Sequence, residues 1–349
     1  MTNSTTRQTV ILPDLLKMCN VFPFGVNPLA HIIGPATDRW LEAPGSLTNA
    51  KARVAQAGLK AGLRMAMCLP WCNDVEKLQV AADFDNYLFH LDDLTDEMDL
   101  KDVGAVVEAV MGVIREPELW TRKIERGEAH AISVLMHEIW QRFIRGCGPG
   151  VRKRFERTFY NTALAAVEEA RMRKKRTVPS FGEFVVRRRD NSAVRPSFAL
   201  IEYGRGIELP QNVLNHPVIR DLEDAAVDLV SWANDVYSFP KEYACSDTHN
   251  LVIVLLYQKS LSVQGAMDYS GELFQQRIDE YLALKAKLPS WGPEIDKAVE
   301  LYVEGMEYWI SGSAEWHFWS KRYFGDEAML VKATRVTSFE HPKLRARLA

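Results

Sequence analysis

Apolar residues at helical spacing run through almost the whole chain, and this limits the fold more than any other feature. From about Asp38 onward the pattern is that of amphipathic helices. Asn49 to Met67 carries Ala, Leu and Met at this spacing, and Pro70 closes it. Asn73 to about Asp96 follows, with Leu78, Ala81, Ala82, Tyr87, Leu88 and Leu91 as its apolar faces. Asp102 is read as the N-cap of a helix through Ile114. Further helices are expected over 129–146, 151–175, about 180–190, 194–203, 218–239, 250–257, 262–286 and 293 to about 323. Strand alternation is not convincing anywhere, and no Asn-Gly or Asp-Gly hairpin signal occurs. Residues 1 to about 35 read as an irregular arm, with Pro13, Pro23, Pro28 and Pro35 spaced against a long helix. Residues 325–349 read as a C-terminal tail. No repeat, linker or break in composition divides the chain. The expectation is one all-α domain over 1–349, a large helical bundle around a common interior.

Composition narrows the function. Apolar residues make up 47%, enough for a substantial core. A net charge of −3 gives no basic field for nucleic acid or an anionic membrane. No apolar run approaches the roughly 20 residues that cross a bilayer. The N-terminus lacks a secretory pattern, so a cytoplasmic location is expected. Cys19, Cys68, Cys72, Cys147 and Cys245 are odd in number and scattered, which suits buried free thiols rather than a disulfide framework.

The helix over 73–96 ends in LFHLDDLTDEMD, which places Asp92, Asp93 and Asp96 within five positions. Asp92 and Asp96 leave one helix face a turn apart. Like charges this close are unfavourable unless a cation shares them or water screens them. Mg2+ prefers oxygen ligands and keeps positions open for substrate phosphates. The reading is a Mg2+ site for a phosphorylated substrate, weighed against a solvated acidic helix end.

A second constellation lies in SWANDVYSFPKE, residues 231–242. Asn234, Ser238 and Glu242 are four apart and line one face over about 12 Å of an ideal helix. Amide, hydroxyl and carboxylate oxygens are ligands a hard cation accepts. Lys241 could meet a phosphate oxygen as a point charge. Pro240 leaves two geometries open: Glu242 lies past a kink, or the helix ends near Phe239 and Glu242 folds back.

DDLTD at 92–96 and NDVYSFPKE at 234–242 together resemble the DDxxD and NDxxSxxKE metal motifs of class I terpene synthases of the microbial type found in fungi and bacteria. RRRDNSAVRP at 187–196 resembles that family's arginine-pair segment, with Arg188 and Arg189 as the pair and Ala193 where the family usually has Gly. The resemblance carries diphosphate sensing to Arg189 and leaves Arg188 possible. Arg322 and Tyr323 match the family's closing arginine-tyrosine pair.

The resemblance implies a helical bundle with a central active-site cavity. It implies an enzyme that ionises an allylic isoprenyl diphosphate, most simply farnesyl diphosphate, to a carbocation that becomes a sesquiterpene. Three Mg2+ ions are implied, on Asp92, Asp96, Asn234, Ser238 and Glu242. Arg188, Arg189, Lys241, Arg322 and Tyr323 are the implied diphosphate contacts. Phe89, Trp316 and His317 are the implied cavity lining, with ordinary core packing as the competing reading for each. A monomer or homodimer is expected. Competing functions are a monoterpene or linear terpene alcohol synthase using geranyl diphosphate, a chain-elongating transferase, and a non-enzymatic helical protein.

Overall fold

The computed structural model describes residues 8–43, 50–96, 98–175 and 177–340. Asn49, the first seven residues of the expected arm and residues 341–349 of the expected tail lie outside the described residues. Helices dominate. The longest are Pro149–Lys175 and Pro217–Ala244, followed by Pro293–Trp316, Val263–Lys285 and Val75–Asp96. The Pro217–Ala244 helix is central: it packs against Val263–Lys285, Pro293–Trp316 and Leu251–Gln258. Ile219, Leu222, Ala226, Leu229, Val236 and Phe239 are all sealed from solvent, so this helix is apolar on more than one face. One continuous apolar cluster runs through the bundle, and a small second one gathers Leu59, Ala61, Met67 and Trp316. No helix among the described residues is long and apolar enough to cross a membrane.

Several boundaries differ from the sequence reading. The run expected over Asn49 to Met67 is two helices, Ala50–Leu59 and Ala61–Cys68. Lys60 breaks it with a left-handed backbone at φ 57°. Gly58 and Gly62 flank the break, but the left-handed residue itself is neither Gly nor Pro. The Trp316 indole N–H crosses the break and donates to the carbonyls of Leu59 and Lys60, at 2.9 and 3.2 Å; the Lys60 carbonyl also accepts from the Arg64 N–H at 3.1 Å. The expected N-cap Asp102 sits in the first turn instead. Asp99 caps the Leu100–Arg115 helix, accepting from the backbone N–H groups of Lys101 and Asp102. The expected run to about Tyr323 ends at Trp316, and Ser320 caps a separate turn, Lys321–Phe324.

The N-terminal arm is more ordered than its prolines suggest. The Ala30–Glu42 helix continues through Pro35. Gln8–Ile11 and Val336–Phe339 form an antiparallel two-stranded ribbon, Gln8 opposite Phe339 and Ile11 opposite Val336. Strands of four residues are too short to display a period of two, so the ribbon escaped the sequence reading. Among the cysteines, Cys19, Cys68 and Cys72 are buried, whereas Cys245 is exposed and corrects the expectation of buried thiols throughout.

Candidate active site

The Val75–Asp96 helix delivers Phe89, Asp92 and Asp96 to one cavity. Its turns are held by buried Leu78, Ala81, Ala82 and Tyr87, so the acidic end projects from an anchored stem. Asn234 and Arg188 line the same cavity, which is otherwise walled by Leu88, Phe159, Val194, Val230 and Trp309 among others. The two motifs therefore meet at this hollow through Asp92, Asp96 and Asn234, whereas Ser238, Lys241, Glu242, Arg322 and Tyr323 do not line it.

The Pro217–Ala244 helix continues past Pro240, so it does not end near Phe239 and Glu242 lies on the same helix beyond the proline. Asn234, Ser238 and Glu242 stand on successive turns of one helix. Asn250, from the start of the next helix, binds this face together. Its amide N–H donates to Glu242 Oε2 at 2.8 Å, to the Asp235 carbonyl at 2.6 Å and to Ser238 Oγ at 3.4 Å. Sequence reasoning missed Asn250. Its only signal is its position as N-cap of Leu251–Gln258, where its Oδ1 accepts from two backbone N–H groups.

The two arginines of the expected pair part company. Consecutive helical residues point about 100° apart, so one turn cannot aim both at one place. Arg188 faces the cavity: it donates to Asp235 Oδ1 at 3.0 Å and to Asn234 Oδ1 at 3.0 Å. Arg189, which the sequence reading favoured as the sensor, points the other way. It makes two bonds to Asp228, at 2.8 and 2.7 Å, and one to Asp224 at 2.6 Å. Asp228 also takes Arg277 at 2.7 Å. Ala193 sits at φ 57° as N-cap of the Val194–Arg205 helix and lines the cavity. The helix break thus forms with Ala in place of Gly.

Arg322 grips the acidic end. It donates to both oxygens of Asp93 at 2.8 Å and lies 3.7 Å from Asp92. Burial works against an Asp93 anion, but the hydrogen-bonded Arg322 guanidinium holds its carboxyl below the usual range. Lys241 adds positive charge to the same group. The i, i+4 spacing favours Asp92 and Asp96 and assigns Asp93 no role, yet Asp93 is the carboxylate that Arg322 holds. Tyr323 accepts from the Asn234 amide at 2.9 Å.

His317 and Trp316 do not line the cavity. Trp316 is fully buried behind Phe89, ring centroids 5.4 Å apart. His317 Nδ1 lies 2.7 Å from the Ser313 carbonyl, an acceptor only, so Nδ1 carries the proton. Its Nε2 then accepts from Asn234 at 3.3 Å. Burial first, and Arg64 second, hold this imidazole neutral down to about pH 3. Trp309, two turns before Trp316, lines the cavity instead. Arg64 is there too, although no motif pointed to it.

These residues fit a hard divalent cation. The donors are carboxylate, amide and hydroxyl oxygens. Among the described residues no three His, Cys, Asp or Glu side chains gather to hold a metal; the oxygens come as an acidic pair on one helix and a mixed face on another. Burial, with Asp247 and Asp235 adding negative charge, pushes the Glu242 carboxyl up to about 8. A carboxyl that resists ionisation alone is one a bound cation would relieve.

Comparison with known proteins agrees with this geometry. Residues 83–280 match the model of terpene synthase family 2, C-terminal metal binding. The chain is 39% identical to alpha-muurolene synthase of Coprinopsis cinerea, across 96% of this chain and 79% of that protein. It is 37% identical to sesquiterpene synthase 2 of Postia placenta, across 96% and 97%. Its fold superposes on germacradien-4-ol synthase of Streptomyces citricolor with a TM-score of 0.72 at 23% identity, covering 84% of this chain and 97% of that one. A metal-binding family, relatives matched over 96% of the chain and oxygen-bearing residues from two helices at one cavity lead to one conclusion: the chain belongs to the terpene synthase family, as a class I enzyme of the fungal type.

Proposed function

We propose that this protein is a Mg2+-dependent sesquiterpene synthase that ionises farnesyl diphosphate. The observation that carries this reading is the convergence of Asp92, Asp96, Arg188 and Asn234 on one largely apolar cavity. Relatives named as sesquiterpene synthases support a C15 substrate.

In the reaction the allylic C–O bond breaks, and both its electrons leave with the diphosphate. The carbocation that remains rearranges and then loses a proton to give the hydrocarbon. Asp92, Asp96, Asn234, Ser238 and Glu242 would hold Mg2+, three ions by analogy with the family. Bound there, the metal supplies Lewis-acid neutralisation of the leaving group. The chain's own cations surround the same place. Arg188 and Arg322 offer planar forks suited to phosphate oxygens, and Lys241 and Tyr323 add a point charge and a phenolic hydroxyl. Arg188, which faces the cavity, takes the sensing role that the sequence carried to Arg189. Asp235 and Asp93 pre-orient Arg188 and Arg322, so little reorganisation is left for the moment of bond cleavage. Leu88, Phe159, Val194 and Val230 offer the cation no nucleophile.

The test is gas chromatography–mass spectrometry after parallel incubations with C10, C15 and C20 diphosphates, with and without EDTA. A C15 hydrocarbon that disappears with EDTA is expected. Diphosphate release without terpenoid product would count against a synthase, and preferred turnover of geranyl diphosphate would move the substrate to C10.

A further inference from the structure

The aromatic wall of the cavity already holds a cation. The Arg64 guanidinium carbon lies 5.4 Å from the Phe89 ring and 5.4 Å from Trp309, and 5.0 Å from Trp316, which stands behind that wall. Faces that could stabilise a carbocation are therefore partly occupied by the protein itself. Arg64 Nη1 also pairs with Asp85 at 2.6 Å, and Nη2 donates to Ser313 Oγ at 3.2 Å. Arg64, Phe89 and Trp309 line the cavity; Asp85 does not. The Asp85 side chain is only 2% exposed, and one of its oxygens has no hydrogen-bond partner.

We infer that Arg64 is a specificity-determining residue: it screens the Asp85 carboxylate from the carbocation and steers positive charge away from the wall it occupies. This rests on the synthase reading above. Without the guanidinium between them, the Asp85 carboxylate would face the cavity as a base. It would take a proton from the carbon next to the cationic centre, the C–H electron pair would become a new double bond, and the product would leave as an early alkene. With the guanidinium in place, Asp85 Oδ1 is paired and the charge between the carboxylate and the cavity is positive. The carbocation is then held toward the diphosphate end, where further bond formation continues.

The backbone keeps Arg64 in this position. Its helix, Ala61–Cys68, lies so close to two others that glycine is needed at the contacts. A Cβ on Gly312 would come within 2.6 Å of the Met67 carbonyl, and one on Gly62 within 2.6 Å of Gly34 Cα. The left-handed Lys60 turns the chain into this helix one residue before it starts. Arg64 therefore sits on a clamped element, not on a loop free to withdraw.

The experiment uses the full chain with farnesyl diphosphate and Mg2+, reading diphosphate release and product ratio separately. Arg64→Lys keeps charge and pairing, and is expected to keep the wild-type product ratio. Arg64→Met is expected to lower diphosphate release by less than about tenfold. It should shift the major product to acyclic or monocyclic alkenes. Arg64→Met combined with Asp85→Asn removes the base and should reverse that shift. A wild-type ratio in Arg64→Met, an equal shift in Arg64→Lys, or a shift that persists in the double variant would overturn the inference. If circular dichroism shows Arg64→Met unfolded, Asp85→Asn decides: it leaves the guanidinium unpaired and should lower release while adding no early alkene, and early alkenes there overturn the inference. Absence of release by the wild-type chain would instead remove the farnesyl diphosphate reading.

Discussion

Arg188 and Arg189 are adjacent in the chain and both bind aspartates of the Pro217–Ala244 helix, yet they do different work. Arg188 pairs with buried Asp235 and shares Asn234 with the cavity. Arg189 belongs to a set with Asp224, Asp228, Arg195 and Arg277 that does not line this cavity. The first cluster keeps Asn234 at the cavity; the second joins arginines and aspartates of neighbouring helices elsewhere. The lesson is that an arginine–aspartate pair has no function by composition. What matters is whether its partners have a second face.

The largest expected effects lie on the cavity side. Asp92→Asn or Asn234→Ala should lower turnover by at least about 10²–10³-fold, the scale of losing one preorganised contact to developing charge. The far-ultraviolet circular dichroism should be unchanged. Full activity in either variant would remove that residue from the ligand set.

The two arginines offer the sharpest contrast. Arg188→Lys keeps charge but loses the fork, and should cost about 10²-fold in turnover. Arg189→Lys should leave turnover within about threefold and instead lower stability by about 1–3 kcal/mol, because Asp228 and Asp224 each lose a hydrogen-bonded partner. Steady-state kinetics and denaturant melts on the same two variants would expose a reversed pattern.

Metal removal should show a pH dependence of definite sign. Glu242 has its carboxyl raised from 4.5 to about 8 by burial and by Asp247 and Asp235. A raised acid binds its proton more tightly when folded, so its contribution to stability worsens as pH climbs from about 4.5 to about 8. His249 and His317, lowered to about 3 from 6.5, act with the opposite sign below 6.5 only. Between pH 6.5 and 8 in EDTA, the melting temperature should therefore fall. Mg2+ should flatten the slope, and so should Glu242→Gln. A slope that survives Glu242→Gln would assign it to another group.

The smallest effect concerns the hinge between the arginine helix and the next. Ala193 holds a left-handed backbone, which costs an L-residue about 1–2 kcal/mol. Glycine removes that strain but adds about 0.5–1 kcal/mol of unfolded-state entropy. Ala193→Gly should therefore raise the melting temperature by only about 1–3 °C. A fall would mean that packing around the Ala193 methyl outweighs the strain.

Much of the helical order was legible, since long amphipathic runs such as 73–96 and 262–286 carry their own period. The metal-type faces were legible for the same reason: residues four apart on one helix stay together whatever the helix packs against. The breaks at Lys60 and after Trp316 were not, because the residue that breaks the helix is neither Gly nor Pro in either case. They are set by what crosses over them, such as the Trp316 indole on the carbonyls of Leu59 and Lys60.

The sequence by itself determined a helical chain with oxygen ligands spaced along two of its helices, because helical periodicity is a local property. Only the tertiary structure decided that Arg188 and not Arg189 meets the cavity, that Trp309 lines it in place of Trp316, and that Arg64 stands over the aromatic wall. Those are questions of helix rotation and depth. They are settled by the packing of distant segments such as Gly312 on Met67, which no spacing within one helix records.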